Sequence, residues 1–230
     1  MRRWVAEALA TALLLATVVG SGIMAERLAG GNAALALLAN AVATGAMLPV
    51  LILVFGPLSG AAMNPAVSLV LWRGGVTPGA EALRMALAQL AGALAGVVLA
   101  HAMFGLPLVQ GGGAARGTPG NWLAEAVATA GLVWVVLGTP RERVPAAIGL
   151  YITAAYWFTA STSFANPAVT LARGLTTSFS GIAMADVPGF VLAQLLGALG
   201  AASLWRWLAR SRLREAPARR EDASCAASSP

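Results

Sequence analysis

The chain has 230 residues, of which 58% are hydrophobic and only 10% are charged, with a net charge of +6. Soluble domains carry about 25% charged residues, so this composition excludes an ordinary soluble protein and indicates a chain that crosses a membrane several times. All the basic residues are arginines at chain ends and in short loops. That placement is typical of membrane topology and argues against nucleic-acid binding.

The first half of the chain predicts three membrane spans and one shorter helix. The spans cover about residues 4–25, 33–55 and 81–104. Residues 64–72 predict a half-helix, because a run of about ten residues at 1.5 Å per residue reaches only about halfway through a bilayer core. The basic start before residue 4 would also fit a cleaved signal peptide, but segment 4–25 has a counterpart in the second half.

The second half follows a Gly- and Pro-rich link, residues 105–120, and predicts the same order of elements. Its spans cover about residues 122–138, 144–159 and 187–208, and its half-helix covers about 166–175. Residues 209–230 are charged and rich in Ala and Ser, which predicts a disordered cytoplasmic tail. The single cysteine, Cys225, lies in this tail, so no intrachain disulfide is possible.

The arginines predict the orientation of the six spans. Arg27 and Arg116 fall on one side of a six-span arrangement. The other side carries Arg2, Arg3, Arg84, Arg141, Arg143 and the tail group Arg206, Arg210, Arg212, Arg214, Arg219 and Arg220. Because positive charge accumulates in cytoplasmic loops, both termini are expected in the cytoplasm. The membrane is expected to be the inner membrane of the cell.

Three segments of the first half recur in the second half in the same order. Residues 6–12, 64–69 and 89–94 match 124–130, 166–171 and 194–199. Each half, about 4–104 and 121–208, has three spans, and an odd number makes the second copy enter from the opposite face. The chain therefore predicts an inverted repeat, whose interrupted segments locate a transport site near the membrane midplane.

The half-helices begin with the same three residues: Asn64, Pro65 and Ala66 in one, and Asn166, Pro167 and Ala168 in the other. Asn is a preferred N-cap and Pro suits the first helical position. Two facing helix N-termini create a positive potential that repels cations and protons. If each amide oxygen caps its own helix, each NH₂ group is free to donate to a neutral solute; alternatively, both asparagines are only caps.

Two glutamates, Glu7 and Glu125, lie inside predicted spans, where carboxylates are functional candidates. They could relay protons, or they could accept backbone N–H groups from the non-helical segments before the half-helices. Their symmetric placement favours the structural role. His101 is predicted at the membrane interface. The sequence contains no phosphate loop, Cys/His cluster or Ser–His arrangement, so we predict no enzyme, no cofactor and no metal site.

These features resemble the aquaporin (major intrinsic protein) family over about residues 4–208. The stretch 59–67 is close to the family's first box, with Ala62 where a His is usual. The resemblance implies an all-α membrane protein with six transmembrane helices and two re-entrant half-helices in an inverted repeat. It also implies one aquaporin-like channel domain, residues 1–208, assembled as a homotetramer with one pore per subunit.

The residues that map onto the family's narrowest ring depart from its usual pattern. Val169 occupies the position of a usual Arg, and Thr44 occupies that of an aromatic residue in water-selective members. The other ring positions are Ser163 and either Tyr156 or Ala154. Such a ring lacks a fixed cation, so it is expected to be wider and to favour larger neutral solutes over water alone.

Residues 151–171 and 18–22 resemble a narrower group, the aquaglyceroporin-like channels found with bacterial arsenic-resistance genes. The combined prediction is a passive channel in the lipid bilayer for glycerol-like polyols, neutral metalloids such as arsenicals, and water, which excludes ions and protons. A proton-coupled secondary transporter using Glu7 and Glu125 is the alternative. A membrane protein with an occluded pore is a third.

Overall fold

A computed structural model describes residues 1–111 and 113–215, with side chains described as far as residue 209. These residues form eight α-helices and one 3₁₀ turn, Met184–Asp186, and contain no strand. The helices are α1 Arg2–Leu28, α2 Ala33–Ser59, α3 Pro65–Arg73, α4 Gly79–Met103, α5 Pro119–Gly138, α6 Val144–Phe158, α7 Pro167–Arg173 and α8 Val187–Glu215. The predicted all-α fold class is confirmed.

Five of these helices, α1, α2, α4, α5 and α8, are long and apolar enough to cross a membrane. The helix in the predicted span 144–159, α6, is apolar but has only 15 residues. At 1.5 Å per residue it covers about 22 Å, less than a bilayer core of about 30 Å. It ends at Phe158 because Thr159 is extended and begins the non-helical approach to α7.

The two halves pack in the same way, with the first helix of each half against the last: α1 contacts α4, and α5 contacts α8. Gly92 in α4 and Gly197 in α8 make these contacts close, because a Cβ at either position would collide with the carbonyl oxygen of Ala8 or Ala126. Small residues allow membrane helices to approach in this way. The halves meet along α2 and α6.

The long link between the halves is fixed to the loop that follows α7. The Gln110 N–H donates to the carbonyl oxygen of Leu175 at 3.0 Å, and the Ala183 N–H donates to that of Ala114 at 2.8 Å. The Arg116 side chain donates to two further carbonyl oxygens of this loop, those of Gly181 and Phe179. The link therefore belongs to the end of the molecule at which α7 terminates.

The last helix continues beyond the predicted end of the channel domain. α8 reaches Glu215, so residues 209–215, which we expected to belong to the tail, are helical. Their Ala, Arg, Leu and Glu content suits a helix. The rest of the predicted disordered tail, including Cys225, lies outside the described residues.

Candidate functional site: a central pore

Each half-helix is capped by the asparagine that precedes it. The Asn64 side-chain oxygen accepts from the Ala66 N–H at 2.9 Å. The Asn166 oxygen accepts from the N–H groups of Ala168 and Val169 at 3.0 and 3.3 Å. Proline follows each cap at the first helical position, where it removes no hydrogen bond. Local sequence chemistry thus sets where both helices begin.

The two helix N-termini meet through a reciprocal pair of hydrogen bonds. Asn64 Nδ2 donates to the carbonyl oxygen of Ala165 at 2.7 Å, and Asn166 Nδ2 donates to that of Met63 at 2.7 Å. We predicted that both hydrogens of each NH₂ group are free to face the lumen. This is wrong for one hydrogen of each group, because it binds a carbonyl oxygen in the loop before the other half-helix. One amide hydrogen of each asparagine remains for the lumen.

The loops before the half-helices hold unusual backbone conformations. Five residues other than glycine have φ between 44° and 63°: Ala61, Met63, Thr162, Ser163 and Ala165. Left-handed conformations at such residues cost of the order of 1–3 kcal/mol each and persist only when the surroundings impose them. Hydrogen bonds from neighbouring helices are therefore needed to hold these loops.

The two buried glutamates supply those hydrogen bonds, and both have 0% exposure. Glu7 Oε1 accepts from the Met63 N–H at 2.6 Å, and its Oε2 accepts from the Ser59 hydroxyl at 2.6 Å. Glu125 accepts from the N–H groups of Phe164 and Ala165, both at 2.9 Å. Each carboxylate thus contacts the non-helical segment that precedes one half-helix.

Two glutamines, which were not among the predicted site residues, complete these networks. Gln89 Nε2 donates to Glu7 Oε1 and to the Ser68 hydroxyl at 2.7 and 3.0 Å. Gln194 Nε2 donates to Glu125 Oε2 and to the Thr170 hydroxyl at 2.6 and 2.7 Å. Both glutamines open the third repeated segment, 89–94 and 194–199, so the repeat itself was the available signal.

A cavity of about 150 Å³ runs past the meeting point of the half-helices, with room for several water molecules. Its wall includes Asn64 and Asn166 and all four predicted ring residues, Thr44, Tyr156, Ser163 and Val169. Ala154, the alternative to Tyr156, is exposed on the outside of α6. The Tyr156 hydroxyl donates to Thr44 Oγ1 at 3.3 Å, which joins two sides of the wall.

Most of the remaining wall is apolar and repeats between the halves. Leu14 and Val18 of α1 line the cavity, as do Leu132 and Val136 at the matching positions of α5. Because these side chains offer no hydrogen bonds, a solute that gives up its hydration can recover hydrogen bonds only at a few polar positions. Polar side chains therefore make up only a small part of the wall.

Arg173, the last residue of α7, also lines the cavity, although it was not among the predicted site residues. Arg73 is exposed, whereas Arg173 has 2% exposure. The predicted ring residues carry no fixed cation, but the cavity that they line has one in Arg173. The available signal was spacing, because Asn166, Val169 and Arg173 lie at i, i+3 and i+7 and share one helix face.

Two further polar side chains lie near this end, Arg116 partly buried and His101 fully buried. Burial lowers the pKa of Arg116, while the charge of Glu125 acts in the opposite direction. His101 was predicted at the interface, but it has 0% exposure. Its ring nitrogens lie 2.9 Å from the Leu108 carbonyl oxygen and 2.9 Å from Thr176 Oγ1. Among the described residues, no group of three His, Cys, Asp or Glu side chains could hold a metal.

Inverted halves, capped half-helices that meet end to end, and a central cavity with few polar groups define a membrane channel for small solutes. The model of the family "Major intrinsic protein" matches residues 1–145. The chain belongs to the major intrinsic protein family, whose members are channels and not enzymes.

Several relatives are similar over most of the chain. Aquaglyceroporin AqpS of Rhizobium meliloti (strain 1021) is 57% identical over 90% of each chain. The probable aquaporin AqpM of Archaeoglobus fulgidus is 34% identical over 67% of this chain and 70% of that protein. The X-ray structure of the aquaglyceroporin from Plasmodium falciparum matches with a TM-score of 0.73, covers 89% of this chain and 94% of that one, and is 20% identical. At that identity it supports the fold alone.

Proposed function

We propose that this multi-pass membrane channel passes glycerol-like polyols, neutral metalloids such as arsenicals, and water, and that it excludes protons and other ions. The ring carries this proposal: Thr44, Tyr156 and Ser163 contribute hydroxyl groups to the cavity wall, and Val169 contributes an aliphatic side chain. A wall of this kind suits solutes that carry several hydroxyl groups on a small carbon or metalloid centre. The 57% identity with a protein named aquaglyceroporin is consistent with it.

Ion exclusion is supported by the two helix N-termini and by the amide donors between them. Each N-terminus carries about half a positive charge, so their meeting point repels cations. The amide hydrogens left over from the reciprocal bonds of Asn64 and Asn166 can bind a neutral oxygen atom in the lumen.

Stopped-flow measurements on proteoliposomes test the proposal directly. We expect osmotic responses to water, glycerol, urea and arsenite above those of empty liposomes, and no dissipation of an imposed pH gradient. Water permeability without glycerol or arsenite permeability would contradict the proposed solute class. Proton leakage at the rate of solute flux would contradict ion exclusion.

The alternative, a proton-coupled transporter, requires a titratable group at the transport site. Glu7 and Glu125 are absent from the cavity wall formed by the described residues, and every oxygen of both carboxylates accepts a hydrogen bond. We therefore propose that both carboxylates are structural. Solute flux that depended on a proton gradient and vanished in Glu125→Gln while the protein stayed folded would favour the transporter.

We further propose that the channel unit comprises residues 1–208, lies in the inner membrane with both termini in the cytoplasm, and assembles as a homotetramer. The arginine distribution supports the orientation. Large exposed apolar side chains on α2, such as Leu38, Leu53 and Val54, suit contact with lipid or with other subunits. Native mass spectrometry in a mild detergent tests the tetramer, and a monomer at all protein concentrations would contradict it.

A further inference from the structure

We propose that Arg173 determines the specificity of the pore, because its guanidinium offers an unpaired N–H donor and a fixed positive charge to solutes in the cavity. The ligand class is a neutral solute with at least two oxygen atoms. This inference rests on the proposed channel function and adds to it a residue outside the predicted ring. It makes the end of the pore at which α7 terminates the selective end.

The geometry of α7 brings the side chain of Arg173 back toward the ring. Helical side chains tilt toward the N-terminus of their helix, so the guanidinium lies over the preceding turn, which contains Val169. Its Cζ atom lies 3.3 Å from the centre of the Phe164 ring, two residues before the cap Asn166. The guanidinium is therefore within the part of the chain that forms the pore, even though its Cα is at the end of the helix.

The hydrogen bonds of this guanidinium are incomplete. Nε donates to the carbonyl oxygen of Ser180, whereas Nη1 is buried and has no partner among the described residues. The Ser163 hydroxyl is also buried and without a partner in this part of the chain. Both residues line the same cavity. Since nearly all buried polar groups in proteins have partners, two unpaired groups on one cavity indicate that its contents supply the missing hydrogen bonds.

Arg173 also has no ion-pair partner among the described residues. Within the described residues, the one ion pair is between Arg3 and Glu81 at 3.6 Å, and neither of these residues lines the cavity. A second guanidinium, that of Arg116, lies 5.3 Å from the centre of the same Phe164 ring. The oxygens of Glu125 are occupied by backbone and amide donors. This end of the pore therefore presents positive charge to a solute, which repels cations and favours oxygen acceptors.

A purely structural role is the competing explanation, because a cation near a helix C-terminus is favourable and Arg173 anchors the Ser180 loop. The first half provides a comparison. Leu71 lies seven residues after Asn64, as Arg173 lies seven after Asn166, and it also lines the cavity. An apolar residue therefore fits the matching position of a half-helix, and the arginine makes the two ends of the pore chemically different.

The test compares Arg173→Met, which removes the charge and the donors, with Arg173→Lys, which keeps the charge. Arg73→Met is the matched control, because Arg73 is the exposed arginine at the end of the other half-helix. Each protein is reconstituted in liposomes, and the permeabilities to water, glycerol and methylammonium are measured. Methylammonium serves as a small cation.

For Arg173→Met we expect methylammonium permeability relative to water to rise about tenfold or more, because a fixed charge beside the path is lost. We also expect the glycerol-to-water ratio to fall, because a donor that replaces solute hydration is gone. Arg173→Lys should keep methylammonium excluded, and Arg73→Met should match the wild type. If the role of Arg173 were purely structural, Arg173→Met and Arg173→Lys would both lose thermal stability, and neither the methylammonium-to-water nor the glycerol-to-water ratio would change.

If Arg173→Met does not fold, Ser163→Ala provides the second test, with a lower glycerol-to-water ratio expected because the other unpaired group is lost. An unchanged glycerol-to-water ratio in Ser163→Ala, or unchanged ratios in a folded Arg173→Met, would overturn the inference. In those cases the wild type would still conduct solutes, and the proposed function would stand. A wild-type protein that passes no tested solute would instead contradict the proposed function.

Discussion

Glu7 and Glu125 occupy matching positions in the two halves but satisfy different backbone groups. Glu125 accepts two backbone N–H groups, those of Phe164 and Ala165. Glu7 accepts one backbone N–H, and its other oxygen accepts from the Ser59 hydroxyl, which can rotate. A buried donor without an acceptor costs about 1–3 kcal/mol. The two carboxylates should therefore differ in their importance for stability.

We expect Glu125→Gln to lower the free energy of unfolding by about 1–3 kcal/mol, because the new NH₂ group faces a backbone N–H and leaves it unpaired. Glu7→Gln is the matched control and should cost less. Thermal unfolding in detergent, followed by intrinsic fluorescence, measures the difference. An equal loss of stability in both variants would mean that the number of backbone donors is irrelevant.

Val169 and Arg173 lie one helical turn apart on the same face, and this determines the effect of Val169→Arg. The new guanidinium would narrow the ring and lie beside an existing one, and like charges at i,i+4 repel. We expect glycerol permeability to fall about tenfold, equivalent to roughly 1.4 kcal/mol of added barrier, and water permeability to fall less. Unchanged glycerol and arsenite flux would show that Val169 is not at the constriction.

The roles that could be predicted from the sequence are those that depend on near neighbours in the chain. Asn64 and Asn166 could be recognised as caps because a cap is a local interaction with the first helical turn. The second bond of each amide, to a carbonyl oxygen about a hundred residues away, could not be recognised, because it exists only when the two loops meet. Helical spacing places Arg173 on the face of Val169, but its burial depends on contacts with Phe164 and the Ser180 loop that exist only in the folded protein.

At the scale of helices, close packing depends on glycines that face a neighbouring backbone. Gly197 and Gly200 lie one turn apart in α8, but a Cβ at Gly197 would collide with the Ala126 carbonyl oxygen, whereas a Cβ at Gly200 would enter open space. The same residue type therefore has opposite consequences at two positions of one helix.

We expect Gly197→Ala to destabilise the protein by about 1–3 kcal/mol, because α5 and α8 must move apart. Gly200→Ala should be neutral or stabilise the protein by up to about 1 kcal/mol, because alanine favours the helix. Yield of folded protein and thermal midpoint in detergent provide the comparison. If both substitutions proved equally harmless, the close contact between α5 and α8 would be contradicted.

Helix boundaries were predictable where capping chemistry or proline marks them, and less so elsewhere. α3 and α7 begin one residue after the predicted starts, at Pro65 and Pro167. α8 runs beyond the predicted end because the charged residues after 208 also favour a helix. The sequence does not reveal that α6 is too short to span a bilayer alone, since hydropathy does not report the length of the extended segment after it.

At the scale of the whole molecule, the single cysteine allows a direct test of orientation. In intact cells, a membrane-impermeant maleimide should not label Cys225, and permeabilisation should expose it. The matched variant is Gly111→Cys in a Cys225→Ser background, because Gly111 is exposed and has open space around it. It should be labelled from outside. The reverse pattern would place the termini outside the cytoplasm.

The reciprocal bonds between the half-helices also have a consequence for biogenesis. Met63 is synthesised 103 residues before Asn166, whose amide binds its carbonyl oxygen. When the first half leaves the ribosome, Asn64 can already cap α3, but the strained backbone before it lacks this support. The loop before α3 is therefore completed only after the second half has inserted. The centre of the pore, where the two half-helices meet, is thus among the last parts of the nascent protein to form.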